Sequence, residues 1–279
     1  MTGRLPLHAC PVCDGRRLYY AFSRQPYRLV RCASCTLLML NPQPSDEELE
    51  TIYSSDYFLG EDTPEGHDRV AQMKAATASH QLRQLARYRG EPDGRLLEIG
   101  CGQGDFLIEA RRAGYNVAGI EISPSATALA NARLGDNLVV CGTLENTSIE
   151  DGAFDICVLS DVIEHTRNPR SFLAAVRRAL KPGGTLFLAT PSLDSWSARL
   201  LRQNWMEFKP EHLTYFDRKT IQNLLYRSGF NELIVQPGYK ALNLNYVAAH
   251  FARYPVPVFN TLFHWLTRLA PRRLSEANV

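Results

Sequence analysis

No stretch of this chain comes near the roughly 18–20 consecutive apolar residues that span a bilayer. A membrane-crossing helix is therefore not expected. An excess of one charge is missing too: 31 Lys and Arg stand against 29 Asp and Glu, a formal net charge of +2. Nucleic-acid binders carry a concentrated basic face, so nucleic acid is not the expected partner. The opening residues, MTGRLPLHACPVC, lack the apolar core and small-residue cleavage site of a secretory signal. The cytoplasm is the expected compartment. What remains is ordinary globular composition, 45% hydrophobic and 22% charged over 279 residues. That length accommodates one large domain with an appendage, or two small domains.

The seven cysteines matter by placement more than by number. Cys101, Cys141 and Cys157 lie singly in apolar stretches and read as buried, inert thiols. The other four form two C-x2-C pairs, Cys10 with Cys13 and Cys32 with Cys35. Two thiolates three residues apart share one tight turn, and a second such turn completes a tetrahedral cage for Zn2+. Four protein ligands leave no open position, so the metal is expected to be structural. A ribbon over residues 1–42 has too little core to fold alone, and the metal would supply the folding energy.

After this ribbon, residues 43–92 read as connector helices. Ser45 is placed as an N-cap with Glu48 as its capping-box partner, and a helix is expected over 70–88. The main domain is expected over 93–250. Its first strand, GRLLEIGCG, has the continuous apolar character of a buried parallel strand. Gly100, Gly102 and Gly104 follow, then a helix to Gly114, a second strand ending at Glu121, and a helix capped by Ser123 with Pro124 at its first position. A bare loop with an acid about 20 residues past the first glycine holds a nucleoside, the acid accepting from ribose hydroxyls. The dinucleotide fingerprint G-x-G-x-x-G fails, because position 105 is Asp and would repel a pyrophosphate. Glu98 before the glycines and Asp105 after them suit a cationic cofactor instead.

At these residues the sequence resembles the class I S-adenosylmethionine-dependent methyltransferases. The resemblance implies a Rossmann-like, doubly wound, mostly parallel α/β sheet and S-adenosylmethionine as cofactor. It places Glu98, Gly100, Gly102, Gly104, Glu121 and Ile122 at that cofactor. Many relatives carry an acid near position 143; Thr143 departs from this, and Leu144 and Glu145 are assigned to adenine instead. Further strands are expected over 137–144, through the segment ending LSDVIEH, over GGTLFLATPS, and at 231–239. A helix is expected to end at Lys181, closed by Pro182 and the two glycines after it. LSDVIEHTRNP resembles ubiquinone-type methyltransferases, with Ser160 and Asp161 beside the methionine part of the cofactor. In those relatives an acid-x-x-Glu-His run is linked to divalent cation binding, and Asp161, Glu164 and His165 match its spacing.

Methyl transfer from a pre-activated cofactor asks the protein to align a nucleophile and remove its proton. A histidine of near-neutral pKa suits a hydroxyl acceptor. His212, in an insertion over 193–216 expected to roof the acceptor pocket, is favoured as base over His165, with Glu164 beside them. Trp205, Phe208, Tyr215 and Phe216 are expected to wall that pocket. The tail, 251–279, spaces its apolar residues as an amphipathic helix. It is expected to dock on the protein or on a second subunit, with contact to the inner face of a membrane as the alternative. Together the ribbon, the NPxP connector, the core and FKPEHLTYF resemble bacterial methyltransferases of sugar, polysaccharide and natural-product pathways. The acceptor implied is a small molecule or saccharide, methylated at oxygen. Three readings compete: a zinc-ribbon ribosomal RNA methyltransferase, a non-catalytic S-adenosylmethionine-binding subunit, and a dehydrogenase. Oligomeric state is left open.

Overall fold

A computed structural model describes residues 3–54 and 64–242. The elements run in the order β1 (Leu18–Arg24), β2 (Tyr27–Cys32), β3 (Leu38–Leu40), α1 (Asp46–Ser54), α2 (Pro64–Arg89), β4 (Arg95–Ile99), α3 (Asp105–Ala113), β5 (Asn116–Glu121), α4 (Pro124–Leu134) and β6 (Val139–Cys141). They continue with β7 (Phe154–Ser160), α5 (Pro169–Ala179), β8 (Leu180–Ala189), α6 (Trp196–Leu201), β9 (Thr214–Tyr215) and α7 (Arg218–Arg227). The chain falls into two compact units. One joins the residues up to Glu50 to Pro92–Pro237; the other joins Thr51–Glu91 to the chain from Gly238 onward.

The first unit holds a five-stranded parallel sheet in the order β6-β5-β4-β7-β8. Its strands are apolar on both faces because helices cover both. Leu96, Leu97, Ile156, Cys157, Val158 and Leu159 are at most 1% exposed. Amphipathic α5 shows the cause from the helix side, burying Phe172, Leu173, Val176 and Ala179 at helical spacing. Each fully buried large side chain of this kind stabilises the fold by about 1.5–3 kcal/mol. The caps match the sequence expectations. Gly114 ends α3 in the left-handed conformation. Ser123 caps α4 with Pro124 behind it. Ser45 and Glu48 exchange backbone bonds at 3.0 and 3.1 Å. Asp217 and Thr220 do the same for α7.

A second, antiparallel sheet in the order β1-β2-β3-β9 belongs to the same unit. Strands β1 and β2 lie between the cysteine pairs, β3 follows the second pair, and the fourth strand comes from the insertion near residue 214. Cys10, Val12, Cys32, Leu37 and Met39 share one buried cluster with Leu97, Ile120, Cys157 and Phe216. Asp14 and Arg170 form an ion pair at 2.5 Å between ribbon and α5.

In four places the structure differs from the sequence expectations. Residues 231–239 form no strand; Leu233 packs on the core and the Val235 carbonyl accepts from Arg218, with no ladder beyond. Helix α5 ends at Ala179 rather than Lys181, because Leu180 already pairs with Phe154 and Lys181 reaches Asp155 at 2.8 Å. Strand β6 covers only Val139–Cys141 at the sheet edge. That edge leaves Cys141 exposed, against the expectation of a buried thiol. The tail expected over 251–279 lies outside the described residues.

In the second unit, α2 packs Val70 and Met73 against Ala241. The Ala241 N–H donates to Thr77 Oγ1 at 3.0 Å, and the rings of His80 and Tyr239 meet at 4.9 Å. Among the described residues no helix is long and apolar enough to cross a membrane.

Candidate active site

The C-terminal ends of β4, β5 and β7 meet at one edge of the parallel sheet, where ligands bind in such folds. Beyond Ile99 the backbone passes through Gly100, Gly102 and Gly104 with φ of 73°, 53° and 79°, all left-handed. Two of these glycines have distinct reasons. A Cβ on Gly100 would stand 2.6 Å from Val162 Cγ2, so the loop can approach the start of the segment after β7 only without a side chain. A Cβ on Gly102 would meet nothing within 4 Å; there the chain is bare on an open face.

Glu121, at the end of β5, is buried. Its carboxylate accepts from the Gly102 N–H at 2.7 Å and the Ser123 N–H at 2.9 Å. A carboxylate has about four lone-pair sites, so acceptor capacity remains for ligand hydroxyls. Glu98 is 4% exposed, and its Oε2 has no hydrogen-bond partner among the described residues. Burial first, then the neighbouring Asp105 and Glu121 carboxylates, hold its acid well above the ordinary range. A buried polar atom left unpaired costs about 1–3 kcal/mol, and a ligand ammonium meeting Glu98 would remove that cost. The bare loop, the carboxylate at its rim and this orphaned acid fit S-adenosylmethionine. The charge argument from Asp105 needs correction: Arg133 pairs with it at 2.7 Å and also donates to the Gln103 carbonyl. The carboxyl groups left to meet a ligand cation are therefore Glu98 and Glu121.

The remaining assigned residues divide. Ile122 is 64% exposed directly beside Glu121, an apolar surface open to a flat ring. Leu144 is packed in the core, so only its backbone can reach a ligand, while Glu145 is exposed. Ser160 Oγ is buried without a hydrogen-bond partner among the described residues. Asp161 adopts φ 54°, unusual for a residue with a Cβ and typical of strain kept at functional sites. Its N–H is held by the Ala189 carbonyl at 2.9 Å.

His165 and His212 come together although 47 positions separate them in the chain. Their rings meet edge to face at 4.8 Å. The His165 Nδ1–H donates to the Glu211 carbonyl at 3.0 Å, which leaves the Nε2 lone pair as its basic atom. Burial, partly opposed by the Asp161 charge, lowers the His165 pKa to about 4. Burial and then the neighbouring His165 push His212 well below the usual value. Both rings are therefore neutral at pH 7. His212 Nδ1 has no hydrogen-bond partner among the described residues and lies 3.9 Å from Glu207. Glu164 is buried and accepts from Thr190 Oγ1 at 2.9 Å. One ligand atom each from Glu164, His165 and His212 falls within 4.8 Å of the others. The four aromatics of the insertion are 1–9% exposed, sealing it to the body rather than walling an open pocket. Thr190, Arg133 and the pairing of β9 with β3 carried no motif in the sequence; only the folded chain brings them to the site.

Cys10, Cys13, Cys32 and Cys35 converge at the root of the ribbon. Cys10 and Cys35 sulfurs are 3.5 Å apart, as are Cys13 and Cys32. Tetrahedral thiolates about 2.3 Å from zinc stand roughly 3.8 Å apart, so the set fits the ion. The two knuckles repeat one design. Asp14 donates to the Cys10 carbonyl and Thr36 to the Cys32 carbonyl, each with φ just above 60°. A Cβ on Gly15 would lie within 3.2 Å of the Cys32 and Cys13 sulfurs.

Comparison with known proteins agrees with this geometry. The family model for a methyltransferase domain matches residues 70–235, more than half of the chain. The mitochondrial ubiquinone biosynthesis O-methyltransferase of Schizosaccharomyces pombe is 31% identical over 144 residues, 49% of this chain and 52% of that protein. The malonyl-[acyl-carrier protein] O-methyltransferase of Serratia marcescens is 29% identical over 54% of this chain and 57% of its own. The chain thus spans about half the length of these curated relatives. Among solved structures, a putative methyltransferase from Bacillus halodurans shares the fold at TM-score 0.52 and 20% identity, over 70% of this chain and 87% of that one. The chain belongs to the methyltransferase-domain family and has the class I S-adenosylmethionine-dependent methyltransferase fold.

Proposed function

We propose that this protein transfers a methyl group from S-adenosylmethionine to an oxygen of a small molecule or saccharide, with the His165–His212 pair supplying the base. The observation that carries this reading is the pair itself: two buried, neutral imidazoles edge to face at 4.8 Å, one just after β7 and one just before β9. When bound, S-adenosylmethionine supplies a methyl already activated on sulfonium. The protein's part is orientation and proton removal. Glu98 would hold the ammonium, Glu121 the ribose hydroxyls and Ile122 the adenine face. His165, neutral and with its tautomer fixed by the Glu211 carbonyl, offers Nε2 to the acceptor proton, and His212 buttresses it edge-on. Burial makes His165 a weaker base than the near-neutral histidine expected from the sequence. The sequence favoured His212 for the base; the fixed tautomer supports His165 instead. The names of the curated relatives, both O-methyltransferases, support oxygen as the acceptor atom.

Radiolabelled S-adenosylmethionine with fractionated cell extract identifies the acceptor class, and label in an RNA fraction would overturn it. With that acceptor, His165→Ala is expected to lower turnover by about 10²–10⁴-fold with cofactor affinity nearly unchanged. A larger loss in His212→Ala than in His165→Ala would restore His212 as base. The convergence of Glu164, His165 and His212 favours one second reading, in which they hold a divalent cation. Co2+ producing ligand-field absorption that Glu164→Gln removes would establish it.

The four-cysteine cage is proposed to hold structural Zn2+, checked by metal analysis of wild type and Cys35→Ser. Reduced thiols persist in the cytoplasm, which supports that location.

A further inference from the structure

The ribbon has no part in the chemistry above, yet its last strand ends beside the histidine pair. We infer that the ribbon is the positioning element of the acceptor side: strand β3 sets where His212 stands against His165. This rests on reading that pair as the acceptor side of the site. Its structural content can be tested without an acceptor.

The connection can be followed bond by bond. The second cysteine knuckle feeds β3 directly, because the Cys32 N–H donates to the Leu37 carbonyl at 3.0 Å. Strand β3 pairs with β9 through Leu38 with Tyr215 and Met39 with Thr214. One step further, the Leu40 N–H donates to the Leu213 carbonyl at 3.0 Å, and the Leu213 N–H donates to the Glu164 carbonyl at 2.8 Å. A single residue, next to His212, thus takes a bond from the ribbon and gives one to the neighbour of His165. On the other side of His212, the Glu211 carbonyl receives the His165 Nδ1–H. His212 is held between two anchored residues, and one anchor is made by the ribbon.

Side chains reinforce the backbone. Leu29, Leu38 and Leu40 of the ribbon share a buried cluster with Phe208, Leu213 and Tyr215 of the insertion. Phe22 meets Phe208 edge-on at 5.1 Å. Strand β9 is two residues long and sits at the sheet edge with β3 as its neighbour. So short a strand holds no register alone. The cofactor loop uses none of these bonds: its partners lie in β5, α4 and Val162. The ribbon's backbone bonds thus run to one half of the site; it meets the other half only through the shared apolar cluster with Leu97 and Ile120.

The test uses the full chain with 13C-labelled histidine, its signals assigned by His165→Gln and His212→Gln. Leu40→Ala leaves the cysteine cage and the glycine loop untouched. The expected result is displaced imidazole signals for His165 and His212, retained metal, and S-adenosylhomocysteine affinity within about threefold of wild type. Leu40→Ile should return the signals toward their original positions. Should Leu40→Ala not fold, Leu40→Val is read the same way. Unmoved signals, while amide exchange shows the β3–β9 pairing opened, would overturn the inference. So would a parallel loss of S-adenosylhomocysteine affinity, which would make the ribbon a general stabiliser.

Discussion

The two halves of the site are built in opposite ways. On the proposed cofactor side, one continuous stretch from Leu96 to Leu134 supplies strand, glycine loop, helix and the carboxylate proposed for ribose, and the loop's backbone bonds to Ile120 and Glu121 close within that stretch. On the acceptor side, three segments around residues 40, 165 and 212 must meet before any functional geometry exists. The first half is a local code; the second is a product of tertiary packing. Damage to the two should look different.

The largest effect is expected where the two halves touch. Gly100→Ala puts a Cβ on Val162 at a left-handed position and should cost about 2–5 kcal/mol from strain and overpacking together, read by urea denaturation. Gly102→Ala, with open space around it, should cost only about 1–2 kcal/mol while weakening S-adenosylhomocysteine binding. Equal losses of stability would erase the distinction between packing glycine and ligand glycine.

Acid should strike the acceptor side first. His165 and His212 are neutral when folded, with pKa values below the unfolded value. Their contribution is therefore complete above about pH 6.5 and is lost as pH falls, because the unfolded chain binds the protons first. For His165 the loss is on the order of 3 kcal/mol by pH 4. The double variant His165→Gln/His212→Gln should flatten the slope between pH 6.5 and 4. An unchanged slope would show that the rings are not buried neutral.

Glu121→Gln keeps the shape of the rim but removes its charge. Affinity for S-adenosylhomocysteine should fall about 10–100-fold, the equivalent of about 1.5–3 kcal/mol for a bond to a charged group. Folding should be less affected. The smallest change is expected from Arg133→Ala, which releases Asp105 at a partly exposed pair. About 0.2–1 kcal/mol is the usual range there.

The same contrast governs what could be read from sequence. Gly104, Asp105, Gly114, Ser123 and Pro124 punctuate the chain with φ preferences and caps that act within a few residues, so the first half of the sheet was legible. The cysteine knuckles were legible for the same reason, since three-residue spacing builds one turn. Pairing of β9 with β3 was not, because a two-residue strand carries no periodicity. Nor was the neutralisation of Asp105, which needs α4 to bring Arg133 across 28 positions. Residues 231–239 carry the apolar run Leu233–Val235 but join no strand ladder among the described residues; a short apolar run records burial, not a hydrogen-bonded ladder.

Calorimetry with S-adenosylhomocysteine and, separately, NAD tests the glycine loop most directly. Burial and the neighbouring carboxylates raise the Glu98 pKa, and a ligand ammonium would lower it again. The account therefore predicts saturable S-adenosylhomocysteine binding that releases a proton, tightens as pH rises toward the elevated Glu98 pKa, and loses that proton release in Glu98→Gln. Saturation by NAD with no heat from S-adenosylhomocysteine would contradict it.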